Sequence, residues 1–416
     1  IIGRILTVLF STGIVYILYR TALLIFDKYT ALVSVLILSF SLLSIQDSFL
    51  IKVDTPMTFW IFLSFLISVK IFYGNSEQKW YLLNGLFIGL AVGTKYTAVF
   101  AVVPFILAHL NNSIVNKRPV FSYNLLNTLL LIPIIFVITT PYSIFDIETF
   151  LRHLKYESMH YRYGHFNFES DHVSYGYYLS TLYKDFGLLG SVMILIGLAR
   201  LYKYDRNLFL LIISFPLVYF LFMGGYRTRV FRHMTVVIPF LSLIAGYGTV
   251  QTFIFLKSHL YDRSKSITKT ILIFFLGLAV LVSLFLQLKR INNYMQHIYL
   301  EDTRITAFNW VNKNIIPGTK IAREHATPPL DKKMFPEQYY FPYFGKSEID
   351  IFQYDYLILS SYSYLQYINS AEKYPYVAEK YNEIFNSTTL IKSFIPDNEN
   401  YAGPEIRIYK IIKNDF

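Results

Sequence analysis

The sequence has 416 residues, of which 54% are hydrophobic and only 16% are charged. Soluble domains carry about 25% charged residues, so this depletion of charge excludes an ordinary soluble globular protein. A net charge of +11 would suggest a nucleic-acid partner in a soluble chain. Here the basic residues lie mostly in short loops between apolar runs, which is typical of membrane topology, and we predict no nucleic-acid partner. The absence of cysteine excludes disulfides and thiolate metal sites.

Apolar runs recur along residues 1–289, which we interpret as a transmembrane domain. A bilayer core of about 30 Å requires about 20 mostly apolar residues per helix. The predicted fold class is mainly α, a multi-spanning transmembrane helical bundle. We expect this chain to begin in the second span of a longer protein, so that the first span and first external loop are missing. About ten apolar segments are predicted, near 4–19, 31–46, 57–72, 81–94, 97–110, 121–140, 186–200, 207–224, 234–256 and 270–288.

The pattern changes in residues 290–416, where polar residues become more frequent. ITAFNWVNKNI has helical spacing and ends at the turn IPGTK. The short runs TKIARE, YDYLILSS, LIKSFI and EIRIYKI have the composition of strands. These residues predict a small soluble α/β domain, which the topology below places outside the cytoplasm.

The stretch LLNGLFIGLAVGTKYTAVFAVVPFILAHL has two interpretations, because Lys95 lies at its middle. As one tilted helix it places a lysine at the bilayer centre, which costs about 2.5 kcal/mol or more. Two shorter helices that meet at GTKY let Lys95 reach the external surface, and the glycine-rich first half favours close helix packing. We predict two helices.

Lys and Arg are denser in one set of loops, which includes EQK, NKRP and ARLYKYDR, than in the opposite set. The positive-inside rule places the first set in the cytoplasm. With ten crossings, the opposite loops and the tail are then extracytoplasmic. We predict an integral multi-pass protein of the cell membrane, or of the endoplasmic reticulum membrane in a eukaryote, with its active site and C-terminal domain extracytoplasmic.

Carboxylates, histidines, tyrosines and basic residues gather in the loops predicted on that face. They lie in IQDSFLIKVDTPMTFW, around Lys95, in the 141–185 loop and in GGYRTRVFRHM. Arg and Lys hold phosphate, Tyr packs on sugar faces, and an acid or base moves a proton. The mixture fits a ligand that has an anionic group and a polar ring.

Each of these signals has a structural alternative. Asp54 precedes Pro56 and also suits a helix cap, Lys95 also reaches headgroups by snorkelling, and the arginines of 227–232 also suit headgroup anchors. The histidines of the 141–185 loop fit no ordinary metal-ligand spacing, so the residues predict no metal site. Asp47 is interpreted as structural.

The order of these pieces resembles the polytopic glycosyltransferases of the GT-C superfamily, in particular protein O-mannosyltransferases and bacterial aminoarabinose transferases. IQDSFLIKVDTPMTFW with its flanking spans carries the resemblance first, and GLFIGLAVGTKYTAVFAVVPF is similar to a glycine-rich family segment that ends in Thr-Lys. YGHFNF and YGYYLSTLYKDFG resemble an external loop, and YRTRVFRHMTVVIPFLSLIAGYG resembles an arginine-containing segment before a proline-bearing helix. DTRITAFNWVNKNIIPGTKIARE resembles the start of the extracytoplasmic tail.

The resemblance implies transfer of one sugar from a polyprenyl- or dolichyl-phosphate carrier to an acceptor, with inversion at the sugar carbon. Asp54 matches the second acidic position of the family and is the predicted catalytic residue. Lys95 matches the Thr-Lys lysine, which is expected to bind the donor phosphate. Arg229 and Arg232 are predicted to bind the same phosphate. Tyr163 and His165 are predicted to line the substrate site, on the acceptor side.

One feature of the family is missing from these residues. The main catalytic carboxylate of the family lies in the first external loop, which we expect to precede this chain. A divalent metal occurs in some relatives, although no ligand spacing here demands one.

The acceptor is a protein, a lipid or a polysaccharide, and membrane lipids surround the bundle. The alternative function is a transporter or lipid flippase whose charged groups line a path.

Overall fold

The computed structural model describes residues 2–163, 172–260, 266–342, 344, 350–397 and 400–412. The chain forms two compact units, Ile1–Lys289 and Arg290–Phe416. The first unit is helical, and the second contains helices and a small sheet. The predicted fold class, a mainly helical membrane protein with a small C-terminal α/β region, is confirmed.

The first unit is built from helices joined by short connections, with two 3-10 helices, Tyr96–Ala101 and Phe231–Val237. The last helix begins in this unit and ends in the next. The helices are α1 Ile2–Ile25, α2 Lys28–Ser39, α3 Leu42–Phe49, α4 Asp54–Phe72, α5 Gln78–Thr94, α6 Val102–Val115, α7 Tyr123–Thr139, α8 Tyr142–Phe145, α9 Ile147–Tyr163, α10 Tyr175–Tyr204, α11 Arg206–Gly224, α12 Ile238–Leu260 and α13 Ser266–Tyr299.

Each of the apolar segments predicted from the sequence overlaps one of these helices. Within the described residues, however, only six helices are long and apolar enough to cross a membrane, or seven if α2 and α3 form one span bent by 59°. α5 and α7 have 17 residues each, which is short for a bilayer that needs about 20. The multi-spanning bundle is therefore observed, while the count of ten crossings stays a prediction.

The bend between α2 and α3 is held by a buried carboxylate from α10. Ser41 Oγ donates to Asp185 Oδ2 at 2.7 Å, and the backbone N–H of Leu43 donates to Asp185 Oδ1 at 3.0 Å. Asp185 thereby satisfies an N–H group in the first turn of α3, which has no intrahelical partner. The contact fixes the direction in which α3 leads into the segment before α4.

α5 ends where the sequence predicts a break. Lys95 has an extended backbone, with φ −158° and ψ 127°, and the 3-10 helix Tyr96–Ala101 follows it. α5 packs closely on α7 at Gly89, where a Cβ atom would lie only 2.6 Å from Ile135 Cβ. Small residues allow helix backbones to approach in this way. The close packing positions the end of α5, and with it Lys95.

The second unit contains a five-stranded sheet in the order β3-β2-β4-β7-β5, and a separate pair of two-residue strands, β1 and β6. β2, β3 and β4 are parallel, whereas β7 is antiparallel to β4 and β5. The helix and the four strand runs predicted from the sequence are confirmed, and β3, α15 and α16 are additional. The elements are β1 Glu301–Asp302, α14 Thr303–Asn314, β2 Ile321–Glu324, β3 Gln338–Phe341, a 3-10 turn Ile351–Gln353, β4 Tyr356–Ser360, α15 Ser361–Asn369, α16 Pro375–Ser387, β5 Thr389–Phe394, β6 Tyr401–Ala402 and β7 Ile406–Lys410.

A buried acid lies at the end of β2. Glu324 is fully buried and accepts hydrogen bonds from the Tyr381 hydroxyl of α16 and the Ser360 N–H. Burial raises the pKa of Glu324 to about 8, against the effect of both hydrogen bonds. The folded unit therefore holds this proton at pH values where an unfolded chain, with a glutamate pKa near 4.3, has lost it.

The second unit should lose stability as pH rises from about 4.5 to 8, by about 1.4 kcal/mol per pH unit at most, because the unfolded state releases the Glu324 proton first. Below that window both states are protonated, and above it both are ionised, so stability levels off at each end. Glu324→Gln should flatten the dependence. Trp310 lies in this unit and the other two tryptophans, Trp60 and Trp80, lie in the first. Trp310 fluorescence in a Trp60→Phe/Trp80→Phe background reports denaturant unfolding of this unit, and an unchanged pH slope in Glu324→Gln would contradict the assignment.

Candidate active site

Asp54 opens α4 and is the centre of the candidate site. Its side chain is only 3% exposed, and an unpaired carboxylate at such a position would be strongly destabilising. The capping alternative does not describe it, because Val53 is the cap position of α4 and makes no side-chain capping bond. Asp54 is the first helical residue, where a negative charge is favourable, and its carboxylate oxygens are directed to two basic side chains.

The first of these is Lys95, at the break after α5. Its Nζ donates to Asp54 Oδ1 at 2.7 Å, and its side chain is only 16% exposed. The sequence predicts that the break lets Lys95 reach the external surface. Instead, the side chain turns inward, because its attraction to the buried carboxylate offsets the cost of removing both charges from water. The alternative of snorkelling to headgroups therefore does not describe this lysine.

The second is Arg232, in the 3-10 helix Phe231–Val237. Its Nε lies 3.3 Å from Asp54 Oδ2, and 35% of its side chain remains exposed. One face of the guanidinium group is thus held by the protein while part of it stays accessible. A guanidinium group has five N–H donors in a planar fork, so the contact to Asp54 leaves donors for a second anion.

Two further basic residues lie close to members of this cluster along the chain, Arg229 and Lys52. Arg229 precedes Arg232 by three residues, and its buried Nε has no hydrogen-bond partner in the described part of the chain. Lys52 precedes Asp54 by two residues and is exposed. Burial of part of its side chain and the charge of Arg232 lower the pKa of Lys52. Lys52 thus adds a third basic group whose charge acts near Asp54.

The loop that carries the arginines is fixed by hydrogen bonds to other helices. The Tyr178 hydroxyl of α10 lies 3.0 Å from the Thr228 carbonyl and 2.9 Å from His233 Nδ1. Since that hydroxyl has one proton, a bond donated to Thr228 leaves His233 Nδ1–H as the donor to Tyr178. Thr228 Oγ1 in turn donates to the carbonyls of His160 and Tyr161 at the end of α9. This network holds the backbone on both sides of Arg229 and Arg232.

The side chains of the two residues predicted to line the substrate site lie outside the described part of the structure. His165 lies outside the described residues, and Tyr163 is the last residue of α9, with a side chain that also falls outside the description. Tyr161 and Tyr219 were missed by the sequence analysis, although both lie close enough to Asp54 for its charge to act on their hydroxyls. No spacing in the sequence marks these two tyrosines among the 36 in the chain.

No group of three or more His, Asp and Glu side chains is arranged to hold a metal ion within the described ranges. Several buried polar atoms near the cluster nevertheless have no hydrogen-bond partner in that part of the chain. They are the Tyr219 hydroxyl, the Thr235 hydroxyl and both Asp47 carboxylate oxygens. Buried polar groups in native proteins are normally hydrogen-bonded. Groups of this kind beside an ion cluster are candidates to bind a polar ligand.

Comparison with known proteins shows what the sequence and the fold are similar to. Residues 2–143 match the sequence profile of the dolichyl-phosphate-mannose-protein mannosyltransferase family. These residues include Asp54 and Lys95. The resemblance to the GT-C glycosyltransferases is confirmed. A comparison with curated proteins found no match.

The fold is similar to that of ArnT from Cupriavidus metallidurans. In its apo state, ArnT superposes with a TM-score of 0.57 at 11% sequence identity, over 99% of this chain and 83% of ArnT. The structure of ArnT bound to undecaprenyl phosphate superposes with a TM-score of 0.55 at 11% identity, over 98% and 83% of the two chains. At this identity the likeness shows a common fold.

Removal of one member of the buried pair should destabilise the first unit more than removal of both. Lys95→Met leaves the Asp54 carboxylate with the more distant Arg232 alone, and loss of one partner from a buried pair costs about 3–5 kcal/mol. In Asp54→Asn/Lys95→Met the uncompensated charge is gone, so much of this loss should be recovered. The measurement is the apparent Tm of the full-length protein in detergent for both single variants and the double variant.

The matched control is Lys79→Met. Lys79 pairs with Glu77 at the same 2.7 Å, but both side chains are 60% exposed, and exposed pairs contribute about 0–1 kcal/mol. We expect no measurable change in Tm for this variant. Additive losses in the Asp54/Lys95 cycle would show that the two side chains do not act as a pair.

Proposed function

We propose that this chain is a membrane glycosyltransferase that moves one sugar from a polyprenyl- or dolichyl-phosphate carrier to an acceptor. The observation that carries the proposal is the buried cluster in which Asp54 holds Lys95 and Arg232 side by side. The family match over residues 2–143 supports the same function. The cluster is suited to bind a phosphate that carries the sugar in the donor and leaves with the lipid in the product.

Lys95 and Arg232 are the groups that stabilise this phosphate. When the bond from the sugar carbon to the phosphate oxygen breaks, the electron pair stays on that oxygen and its negative charge increases. Fixed basic groups at the position of developing charge lower the barrier without having to reorganise. Arg229, with a buried Nε that has no partner among the described residues, supplies a further donor. Tyr219 offers its hydroxyl beside Lys95.

Asp54 acts in this proposal by orienting Lys95 and Arg232. Each of its oxygens faces a basic group, and a carboxylate between two cations is a weak base because both cations stabilise its ionised form. The attacking acceptor hydroxyl therefore loses its proton to another group. The resemblance assigns that role to a carboxylate of the family's first external loop.

The proposal also specifies the donor lipid and the side of the membrane on which the site lies. ArnT from Cupriavidus metallidurans has been solved with undecaprenyl phosphate, and a carrier lipid of this class is the donor that we propose here. The acceptor is a hydroxyl of a protein, a lipid or a polysaccharide. The positive-inside distribution of Lys and Arg supports an extracytoplasmic site and C-terminal unit.

The transporter alternative has less support. Charged groups that line a transport path are usually distributed near the bilayer midplane, between repeated halves of the bundle. Here Asp54, Lys95 and Arg232 meet at one point, at the start of α4 and the end of α5. The family match and the shared fold also support the glycosyltransferase function and not transport.

The direct test is release of free polyprenyl phosphate by the full-length protein in membranes supplied with a panel of radiolabelled polyprenyl-phosphate sugars and an acceptor extract. We expect release with at least one donor. Lys95→Ala and Arg232→Ala should each lower the rate at least about 100-fold, as loss of one donor to a developing oxyanion does elsewhere. Asp54→Asn should lower it similarly, because both basic side chains lose their common support.

Arg227→Ala is the control for the arginine loop. Arg227 lies on the same loop and is exposed, so its loss should leave the rate within about threefold, as expected for a surface substitution. Release that persists in Lys95→Ala and Arg232→Ala would remove the phosphate from this cluster. Absence of release with any donor, together with movement of lipid across vesicles, would instead establish the transporter.

A further inference from the structure

We propose that a hydroxyl-lined cavity beside Asp54 binds the sugar of the donor, and that Asp47 and Thr235 recognise its hydroxyl groups. This inference rests on the proposed function and assigns a second part of the same site. The sequence favours a structural role for Asp47, and Asp47 has no role in the proposed transfer step. The observations that carry the inference are the lining of the cavity, the buried Asp47 carboxylate beside the lining residue Thr235, and the continuity of the cavity with the phosphate-binding cluster.

The cavity has a volume of about 270 Å³ and lies among α1, α2, α3, α4 and the start of α12. Drug-sized ligands occupy pockets of about 300–1,000 Å³, so this cavity is suited to a smaller molecule. Eight of its thirteen lining residues are Ser or Thr, and the other five are Ile, Val, Leu or Pro. A monosaccharide has the matching chemistry, with hydroxyl groups around its rim and C–H groups on its faces.

Three of the eight lining hydroxyls are oriented to accept hydrogen bonds. Thr12, Ser48 and Thr58 donate their single protons to the backbone carbonyls of Val8, Ile45 and Asp54. A hydroxyl that donates in this way still has lone pairs for an incoming donor. The cavity therefore favours a ligand that brings O–H or N–H donors, and a sugar brings several.

Asp47 strengthens this acceptor character. Its carboxylate is only 1% exposed, and neither oxygen has a hydrogen-bond partner in the described part of the chain. The Thr235 hydroxyl lies beside the carboxylate, close enough to interact with it, and Thr235 also lines the cavity. A native fold seldom leaves a buried carboxylate without hydrogen bonds. Sugar hydroxyls entering the cavity would supply donors to both groups.

The cavity adjoins the proposed phosphate site through α3, α4 and the 3-10 helix. Thr55 and Thr58 line it and follow Asp54 by one and four residues. Thr235 follows Arg232 by three residues, and the Thr55 hydroxyl lies 3.4 Å from the Asp47 carbonyl. One ligand with a phosphate at Lys95 and Arg232 and a sugar attached to it can therefore occupy both sites.

The test compares a sugar-bearing carrier with the bare carrier. Purified full-length protein is titrated with polyprenyl-phosphate mannose, polyprenyl-phosphate glucose and polyprenyl phosphate. The readout is the Kd of each sugar-bearing carrier divided by the Kd of polyprenyl phosphate. We expect wild type to bind at least one sugar-bearing lipid more tightly than polyprenyl phosphate. Asp47→Asn should reduce that preference at least about tenfold, and Thr235→Val about threefold, because each variant loses hydrogen bonds to the sugar. The Kd for polyprenyl phosphate should not change.

Two controls separate sugar recognition from other effects. Thr21→Val is matched to Thr58→Val, because both threonines are buried and donate to a carbonyl four residues earlier, but only Thr58 lines the cavity. Only Thr58→Val should change the preference. Lys95→Met should weaken binding of sugar-bearing and bare carriers by the same factor, because both have the phosphate.

Equal binding of sugar-bearing and bare carriers by wild type would overturn the inference. So would a preference that stays within twofold in both Asp47→Asn and Thr235→Val. An equal loss of bare-carrier binding in these variants would assign the cavity to the lipid, and would also overturn it. Because the readout is binding, it is independent of turnover. A preference that depends on Asp47 in a protein without transfer activity would reject the proposed reaction and retain the sugar site.

Discussion

The candidate site depends on one ion pair, that of Asp54 with Lys95. A carboxylate buried in an apolar bundle requires a partner, and Asp54 has its partner at 2.7 Å. The pair joins the start of α4 to the break between α5 and the following 3-10 helix. Arg232 joins the same carboxylate from a third element. The three segments that carry these side chains are thus held together at the point where chemistry is proposed.

The surrounding structure restricts this cluster in two ways. Asp185 fixes the turn that leads toward Asp47 and Asp54, while Tyr178 and His233 hold the arginine loop. These supports are buried polar contacts, which are favourable only when their partners are in place. The orphaned groups around the cluster differ from them, because the fold positions these groups without supplying partners. The hydrogen-bonded residues build the site, whereas we expect the groups without partners to contact a ligand.

Much of this arrangement follows from the sequence, and the rest requires the fold. Apolar runs locate the helices, and the mid-span charge of Lys95 predicts the break after α5, because a lysine at the bilayer centre is unfavourable. The inward direction of Lys95 was not predictable, since its partner lies 41 residues earlier. Tyr161, Tyr219 and the cavity beside Asp47 were missed for the same reason: each depends on contacts between elements distant in sequence. The roles of Asp54, Arg229 and Arg232 stay predictions until a ligand is placed.

The most direct test of the central claim is an experimental structure of the full-length protein with polyprenyl phosphate bound. The account predicts phosphate oxygens within about 3 Å of Lys95 Nζ and the Arg232 guanidinium group, the distance of a charge-assisted hydrogen bond. It also predicts that Asp54 remains between the two basic side chains. A phosphate bound elsewhere in the bundle, with the Asp54–Lys95–Arg232 cluster unchanged and out of reach, would contradict the account and leave the cluster as a structural ion network.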